Sequence, residues 1–237
     1  MDLKIRKSNM YDGTKTWNPF KGCEFDCLYC RPSFQRQAKR QKQRCAQCGA
    51  YVPHVHEERL NKIPSSPIVF VAGVGDISFC DPVFFRQILA SIHSRNERRP
   101  DQTYYFQSKR PAYFEPFLEE LPENAVLLTT LETNRDEGYG QISQAPVPSE
   151  RYRQFLELDY PRKVVTIEPV MDFDHEVFLE WIRQINPEYV YLGFNSKPKA
   201  VQLPEPSGEK LQAFMRDLNS HGIEVHLKEL RGLRKAG

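Results

Sequence analysis

The chain has 237 residues, 40% of them hydrophobic, enough for one substantial core and for either one barrel-type domain or two small ones. With 33 basic against 31 acidic residues, a net charge of +2 gives no global sign of a polyanion partner, so such a role would have to come from a local patch. No run of about 18 apolar residues could span a bilayer, and the N-terminal MDLKIRKSNMYDG lacks the apolar core of a signal peptide, so a cytosolic protein without a membrane partner is expected.

The stretch KTWNPFKGCEFDCLYCRPSF sets Cys23, Cys27 and Cys30 in a C-x3-C-x2-C spacing. In a reducing compartment, clustered cysteines bind metal or do redox chemistry rather than form disulfides. Structural zinc usually closes with four ligands, commonly as pairs of C-x2-C, whereas three thiols in one loop suit an iron–sulfur cube with three irons anchored and one open. Next, RPSFQRQAKRQKQR carries Arg31, Arg36, Lys39, Arg40, Lys42 and Arg44 with no acid among them, and residues 33–44 can form a helix after Pro32. This basic arm reads either as a track for a phosphate backbone or as a solvated helix. In CAQCGAYVPHVHEERL, Cys45, Cys48, His54 and His56 could close a tetrahedral zinc site, although H-x-H is not a usual spacing for one helix face. Otherwise the two histidines are ordinary hydrogen-bonded residues beneath the sheet. Together these stretches form a Cys/His-containing insertion at about 31–62 within a single domain spanning 1–237.

After residue 66, short β-branched or aromatic runs alternate with segments of helical periodicity. Strands are expected at 67–74, 103–108, 125–131, 163–170, 189–194 and 223–228, and helices at about 81–95, 111–120, 149–158, 174–185 and 208–220. Asp81 before Pro82 and Ser149 before Glu150 are helix start signals. Such alternation implies a parallel sheet. With one more strand near the first cysteines, the fold class is α/β, a partial (β/α) TIM-like barrel of about six to seven parallel strands. Tyr104, Tyr105 and Phe106 read as core strand residues, and loop 138–148 as a lid or an ordinary surface loop. The cations of LKELRGLRKAG need no more than a tail.

Reactive groups in such a barrel gather at the carboxyl ends of strands. Those ends hold Gly73, Gly75 and Asp76; Ser108 and Lys109; Glu132 and Asn134; Glu168; Asn195 and Ser196; and Lys228. Asp76 has a plain alternative as a turn or helix-capping acid, and Asn195 and Ser196 as turn residues. Glu168 sits in an apolar strand, where an unpaired carboxylate costs several kcal/mol, so a ligand-facing role is the better reading.

CEFDCLYC resembles the cluster motif of the radical S-adenosylmethionine superfamily. A closer resemblance covers most of the chain. KTWNPFKGC, HEERL, VFVAGVGDISF, YYFQSKRPAYF, TTLETNRD, VTIEPVMDFD and VYLGFNSK look like successive blocks of a phage-associated radical-SAM-like family marked by its Thr-Trp-Asn-Pro start. Several blocks are faintly similar to spore photoproduct lyase, which repairs a thymine dimer. The resemblance implies a 4Fe–4S cluster on Cys23, Cys27 and Cys30, with S-adenosyl-L-methionine chelated at the open iron. Its reductive cleavage would give a 5′-deoxyadenosyl radical, with electrons from a low-potential donor such as a flavodoxin or ferredoxin. It also implies that AGVGD (Gly73, Gly75, Asp76) holds the cofactor's amino group, although the stretch departs from the usual Gly-Gly-Glu by an inserted residue and a shorter carboxylate. Lys109 would pair with the methionine carboxylate, Glu132 and Asn134 would read the ribose, and Glu168 would face the ligand. HEERL occurs in that family without a preceding cysteine pair, which favours a core role for His56. The expected substrate is a nucleobase in DNA, RNA or a nucleotide. A lyase-like repair reaction would need a relay cysteine, for which Cys80 is the free candidate; its alternative is a small buried hydrophobe. The rival function is a zinc-stabilised nucleic-acid-binding module without catalysis.

Overall fold

A computed structural model of the protein describes the backbone of residues 5–7 and all of residues 13–228; the basic segment after Lys228 lies outside the described residues. Five strands follow from Thr103 onward, four of them buried along most of their length and the last at every other residue, and strands so buried need cover on both faces, as parallel strands do. They are β6 (Thr103–Gln107), β7 (Ala125–Thr130), β8 (Lys163–Ile167), β9 (Tyr189–Leu192) and β10 (Glu224–Leu227). With β1 (Ile5–Lys7), β2 (Thr14–Trp17) and β5 (Ile68–Val71) they form an eight-stranded sheet ordered β1-β10-β9-β8-β7-β6-β5-β2, with every pairing parallel. From β5 to β10 spatial order follows chain order. This is the winding of a barrel, here left open between β1 and β2, so the fold is a partial TIM-like barrel. The edge strand β1 goes beyond the six to seven expected; three residues, IRK, give no readable alternation.

Helices fill the crossovers. α3 (Pro82–Asn96) starts where Asp81 Oδ1 accepts from the backbone N–H of Val83 at 2.8 Å, with Pro82 at the first helical position. α4 (Pro148–Glu157) begins at its proline, and Ser149 donates its backbone N–H to Asp136 instead of capping the helix. α5 spans His175–Ile185 and α6 spans Gly208–Ser220. Residues Pro111–Glu120 form a 3-10 helix instead of an α-helix. Pro116 inside it has no N–H for an α-type bond. The expected basic helix is present as one continuous helical run of mixed type, a π turn over Arg31–Gln35, α1 (Arg36–Ala38) and a 3-10 turn over Lys39–Gln41, leading to the short α2 (Ala46–Ala50). A separate antiparallel pair joins β3 (Phe20–Lys21) to β4 (His54–Val55).

Strand alternation divides the core. Val69, Val71, Tyr104, Phe106, Leu127, Val165 and Val190 face the helices in one large cluster, centred on Phe85, Ile88, Phe155, Phe178 and Phe214. Phe70, Tyr105, Val126, Leu128 and Val164 form a smaller cluster on the concave face. Continuing along that face by steps of two, Tyr105 leads to Gln107, Leu128 to Thr130, and Val164 to Thr166 and Glu168, so the inner surface turns polar at the carboxyl ends. Phe85 packs edge-on to Phe117 and Phe106, with centroids 4.8 and 5.8 Å away. Phe85→Ala should lower unfolding free energy by about 3–5 kcal/mol in urea titrations. Val83→Ala on the same helix, 65% exposed, should change it by less than about 0.5.

Candidate active site at the carboxyl ends of the strands

The cysteine loop is laid across the strand ends by backbone contacts. The Trp17 indole N–H donates to the Arg59 carbonyl at 2.8 Å, and the Asn18 side-chain oxygen accepts from Val74 N–H at 3.1 Å. The first bond ties the Thr-Trp-Asn-Pro stretch to HEERL, and the second ties it to the AGVGD turn after β5. Gly22 then crosses the end of β5, donating to the Val74 carbonyl at 3.0 Å and accepting from Asp76 N–H at 3.1 Å. Gly22 has φ +96, and a Cβ on Gly75 would lie 2.4 Å from the Gly22 carbonyl oxygen. Only glycines permit this approach.

The loop that follows closes one side of a cavity of about 210 Å³, into which Cys23, Cys27 and Cys30 all face. Its remaining wall includes Tyr51, Gly73, Asp76, Gln107, Thr130, Thr166, Glu168, Asn195 and Lys228. Burial pushes the Cys23 thiol up. Cys27 is held down to about 5 by the hydrogen bond it shares with Cys30, with the Lys109 ammonium, 3.5 Å from its sulfur, adding to the effect. Cys30 is pushed up by the same hydrogen bond. Loop 138–148 is not a lid. It braces the cysteine loop from behind, with Leu28 N–H donating to Ile142, Gln144 N–H to Phe25, and Ser143 Oγ 3.1 Å from Cys27 Sγ.

Beneath the loop lies a buried charge network. Glu132 has no exposed surface. Its Oε1 accepts from Tyr29, Lys109 and Tyr139, and its Oε2 accepts from Arg151 Nη2 at 2.8 Å. Arg151 is also fully buried and donates to the Thr130 carbonyl. Burial works against the Glu132 charge, but Arg151 and Lys109 overcome it and hold the carboxyl at about 2. The Lys109 ammonium likewise loses solvation, which Cys27 and Glu132 more than offset.

The structure sorts the predicted residues into two groups. Glu168 lines the cavity, paired with Lys228, and Asn195 and Ser196 line it as well. Lys109 borders it, but its ammonium is engaged by Glu132 and Tyr29. Gly75 admits the crossing chain, Gly73 sits against the Phe70 and Thr16 side chains, and both line the cavity. Asp76 caps the turn at Ser78 and accepts from Ser108 Oγ at 2.7 Å and Lys109 N–H at 2.8 Å, so its oxygens serve the loop framework. Glu132 and Asn134 do not line the cavity. Asn134 instead pairs with the Asp174 backbone ahead of α5. Cys80 lies in the helix-facing core, where burial pushes its thiol up to about 12.

Sequence reasoning missed Tyr29, Tyr139 and Arg151, which hold Glu132, and Gln107, Thr130 and Thr166, which form a hydrogen-bonded floor. The period-2 alternation of β6 to β8 was the available signal for the floor. Behind the cavity, Cys45, Cys48, His54 and His56 converge with all four ligand atoms within 4.8 Å of one another. The three loop cysteines do not make such a compact set.

No family's sequence model matches this chain, and no curated protein matches it in sequence. Solved structures do match. A spore photoproduct lyase mutant superposes with a TM-score of 0.60 at 12% identity, covering 95% of this chain and 81% of that one. Streptococcus suis SuiB bound to S-adenosylmethionine gives 0.57 at 9% identity, covering 93% and 50%. A radical SAM methyltransferase from Sphaerobacter thermophilus gives 0.54 at 16% identity, covering 89% and 64%. The fold is that of radical SAM enzymes. The chain spans about half the length of SuiB.

Glu132→Gln removes the counter-charge of two buried cations and should cost about 3–5 kcal/mol at neutral pH. Because folding lowers this carboxyl from 4.5 to about 2, its contribution is complete above pH about 4.5 and is lost as pH falls through 2. The stability gap between wild type and variant in urea titrations should narrow over that window. A gap that stays constant down to pH 2 would contradict an ionised Glu132.

Proposed function

We propose that the protein is a radical S-adenosylmethionine enzyme that holds a 4Fe–4S cluster on Cys23, Cys27 and Cys30. One observation carries this reading: three cysteines from a single loop face one cavity at the carboxyl ends of the strands, in a fold shared with radical SAM enzymes. The donor set fits the group, because three thiols from one loop facing one cavity supply three sulfur ligands and leave one corner of an iron–sulfur cube open. When bound, the cluster and S-adenosylmethionine supply one-electron reductive cleavage of a sulfonium, chemistry that belongs to the cofactor. A low-potential flavodoxin or ferredoxin would deliver the electron.

The chain's own groups then position and exclude. Gly22, Gly75 and the Glu132 network hold the cysteine loop against the sheet. Glu168 and Lys228 present an anion and a cation to the cavity, a match for the ammonium and carboxylate of an amino-acid moiety. Gln107, Thr130 and Thr166 offer neutral polar contacts deeper in the cavity. Among the described residues no helix is long and apolar enough to cross a membrane.

The substrate class we propose is a nucleobase within a nucleic acid. Phe34 lines the cavity and is 37% exposed, and the exposed Arg36, Lys39, Arg40, Lys42 and Arg44 follow directly from it. This sets a row of cations beside an aromatic ring at the mouth, features that bind single strands. The rival, a zinc-stabilised binding module, accounts for the arm but gives no use to three thiols facing a polar cavity.

Anaerobically reconstituted protein given reductant and S-adenosylmethionine should yield 5′-deoxyadenosine, and Cys27→Ala should abolish the yield. A fully loaded cluster with no yield would defeat the enzyme reading. For the substrate class, replacing Arg36, Lys39 and Arg40 by Gln should weaken binding of a single-stranded oligonucleotide. It should also lower the slope of log K against log salt by roughly 2, at about 0.7 per lost phosphate contact. An unchanged slope would remove the arm from the binding surface.

A further inference from the structure

The Cys45 group has the geometry of a metal centre of its own. His54 Nδ1 is 2.8 Å from the Val52 carbonyl oxygen, and His56 Nδ1 is 3.0 Å from Glu58 Oε1. Both neighbours are acceptors, so each Nδ1 carries a proton, and each ring turns its Nε2 inward as the nitrogen that could ligate. Those two nitrogens face each other at 3.0 Å, and Cys48 Sγ lies 3.2 Å from both. Cys45 Sγ is 3.6 Å from His54 Nε2 and accepts from the Cys48 backbone N–H at 3.3 Å. Two imidazole nitrogens and two sulfurs, the atoms through which His and Cys ligate metals, thus converge on the same small gap. A shared cation would account for that. Zinc–sulfur bonds of about 2.3 Å and zinc–nitrogen bonds of about 2.0 Å in a tetrahedron give edges of roughly 3.3–3.8 Å, near the 3.0–3.6 Å of these four contacts within a set that spans no more than 4.8 Å.

We propose that Cys45, Cys48, His54 and His56 bind a structural zinc ion that fixes the back wall of the cavity. Two thiolates neutralise its charge, and the buried Lys21 ammonium, 3.7 Å from Cys48 Sγ, adds a donor to one of them. The carbonyl at His54 and the carboxylate at His56 are the outer partners that orient metal-bound imidazoles. A two-iron cluster with cysteines on one iron and histidines on the other fits poorly, since here His54 Nε2 contacts both sulfurs and the other imidazole. The centre connects directly to the cysteine loop. His54 on β4 pairs with Lys21 on β3, and His56 N–H donates to the Pro19 carbonyl. Cys23 N–H donates to the carbonyl of Tyr51, a cavity-wall residue lying between ligands Cys48 and His54. The zinc would thus fix the backbone partner of the first loop cysteine.

The test does not depend on the iron cluster. Protein from zinc-supplemented cells should contain about one zinc per chain, and its zinc-edge X-ray absorption should show two sulfur and two nitrogen neighbours. A Cys23→Ser, Cys27→Ser, Cys30→Ser variant should keep that zinc, whereas Cys45→Ser, Cys48→Ser should lose it. Chelation should lower the melting temperature of the wild-type chain. If either variant fails to fold, the wild-type absorption spectrum decides. Absence of zinc, a first shell of three or four sulfurs, or zinc lost from the loop variant but kept in the pair variant would each overturn the assignment.

Discussion

The site depends on one buried carboxylate. Glu132 has no contact with water, and an ionised group in that position is tolerated only while opposite charges and hydrogen-bond donors surround it. Its partners come from distant parts of the chain: Tyr29 from the cysteine loop, Lys109 from the end of β6, Tyr139 from the bracing loop and Arg151 from α4. None of these elements can move without leaving charge unpaired in a low-dielectric interior. The carboxylate therefore sets the position of the loop relative to the sheet.

A second constraint works from the other side. Gly22 and Gly75 bring two backbones together at the end of β5, and Asp76, directly after Gly75, gathers Ser78, Ser108 and the Lys109 amide. Lys109 is thus held at its backbone by Asp76 and at its ammonium by Glu132. The two anchors share one residue, so the cysteine loop is held at both ends by a single connected set of buried polar groups. Such networks stiffen the segments they join, and among the described residues Arg151 Nε is the one buried side-chain nitrogen or oxygen left without a partner.

Much of the fold was legible because its signals are local. Alternating apolar runs marked β5 to β10, and Asp81 with Pro82 marked the start of α3. The loop cysteines were legible because three thiols within eight residues have few structural uses. Where the reading stopped, the reason is physical. Arg151 in PSERYRQFLE looks like any exposed helix cation, and only the tertiary packing of α4 on the sheet buries it. Tyr29 beside Cys30 and Tyr139 in loop 138–148 drew no role from the sequence, and their hydroxyls acquire meaning only through an acid more than a hundred residues from the first of them. The 3-10 form of residues 111–120 followed from Pro116, a signal that was present but outweighed by helical periodicity.

The polar residues at the strand ends were expected to converge on a ligand, and the structure divides their labour. Asp76, Lys109 and Glu132 turn toward the loop, because a segment laid over strand ends brings its own unsatisfied amides, thiols and hydroxyls that need partners. Asp76 and Lys109 still border the cavity, but with their charged groups engaged by the framework, and the other polar strand-end residues there are the uncharged Gln107, Thr130, Thr166, Asn195 and Ser196 and the mutually paired Glu168 and Lys228. A cavity with little unbalanced charge suits a zwitterionic head group with a neutral heterocycle better than a polyphosphate, which would demand several cations inside. Any polyanionic part of the substrate would then remain outside, where the basic arm begins beside Phe34. On the proposed reading the inner surface would take a base or cofactor while the rim would attract the backbone that carries it, a separation that follows from where the fold can tolerate net charge.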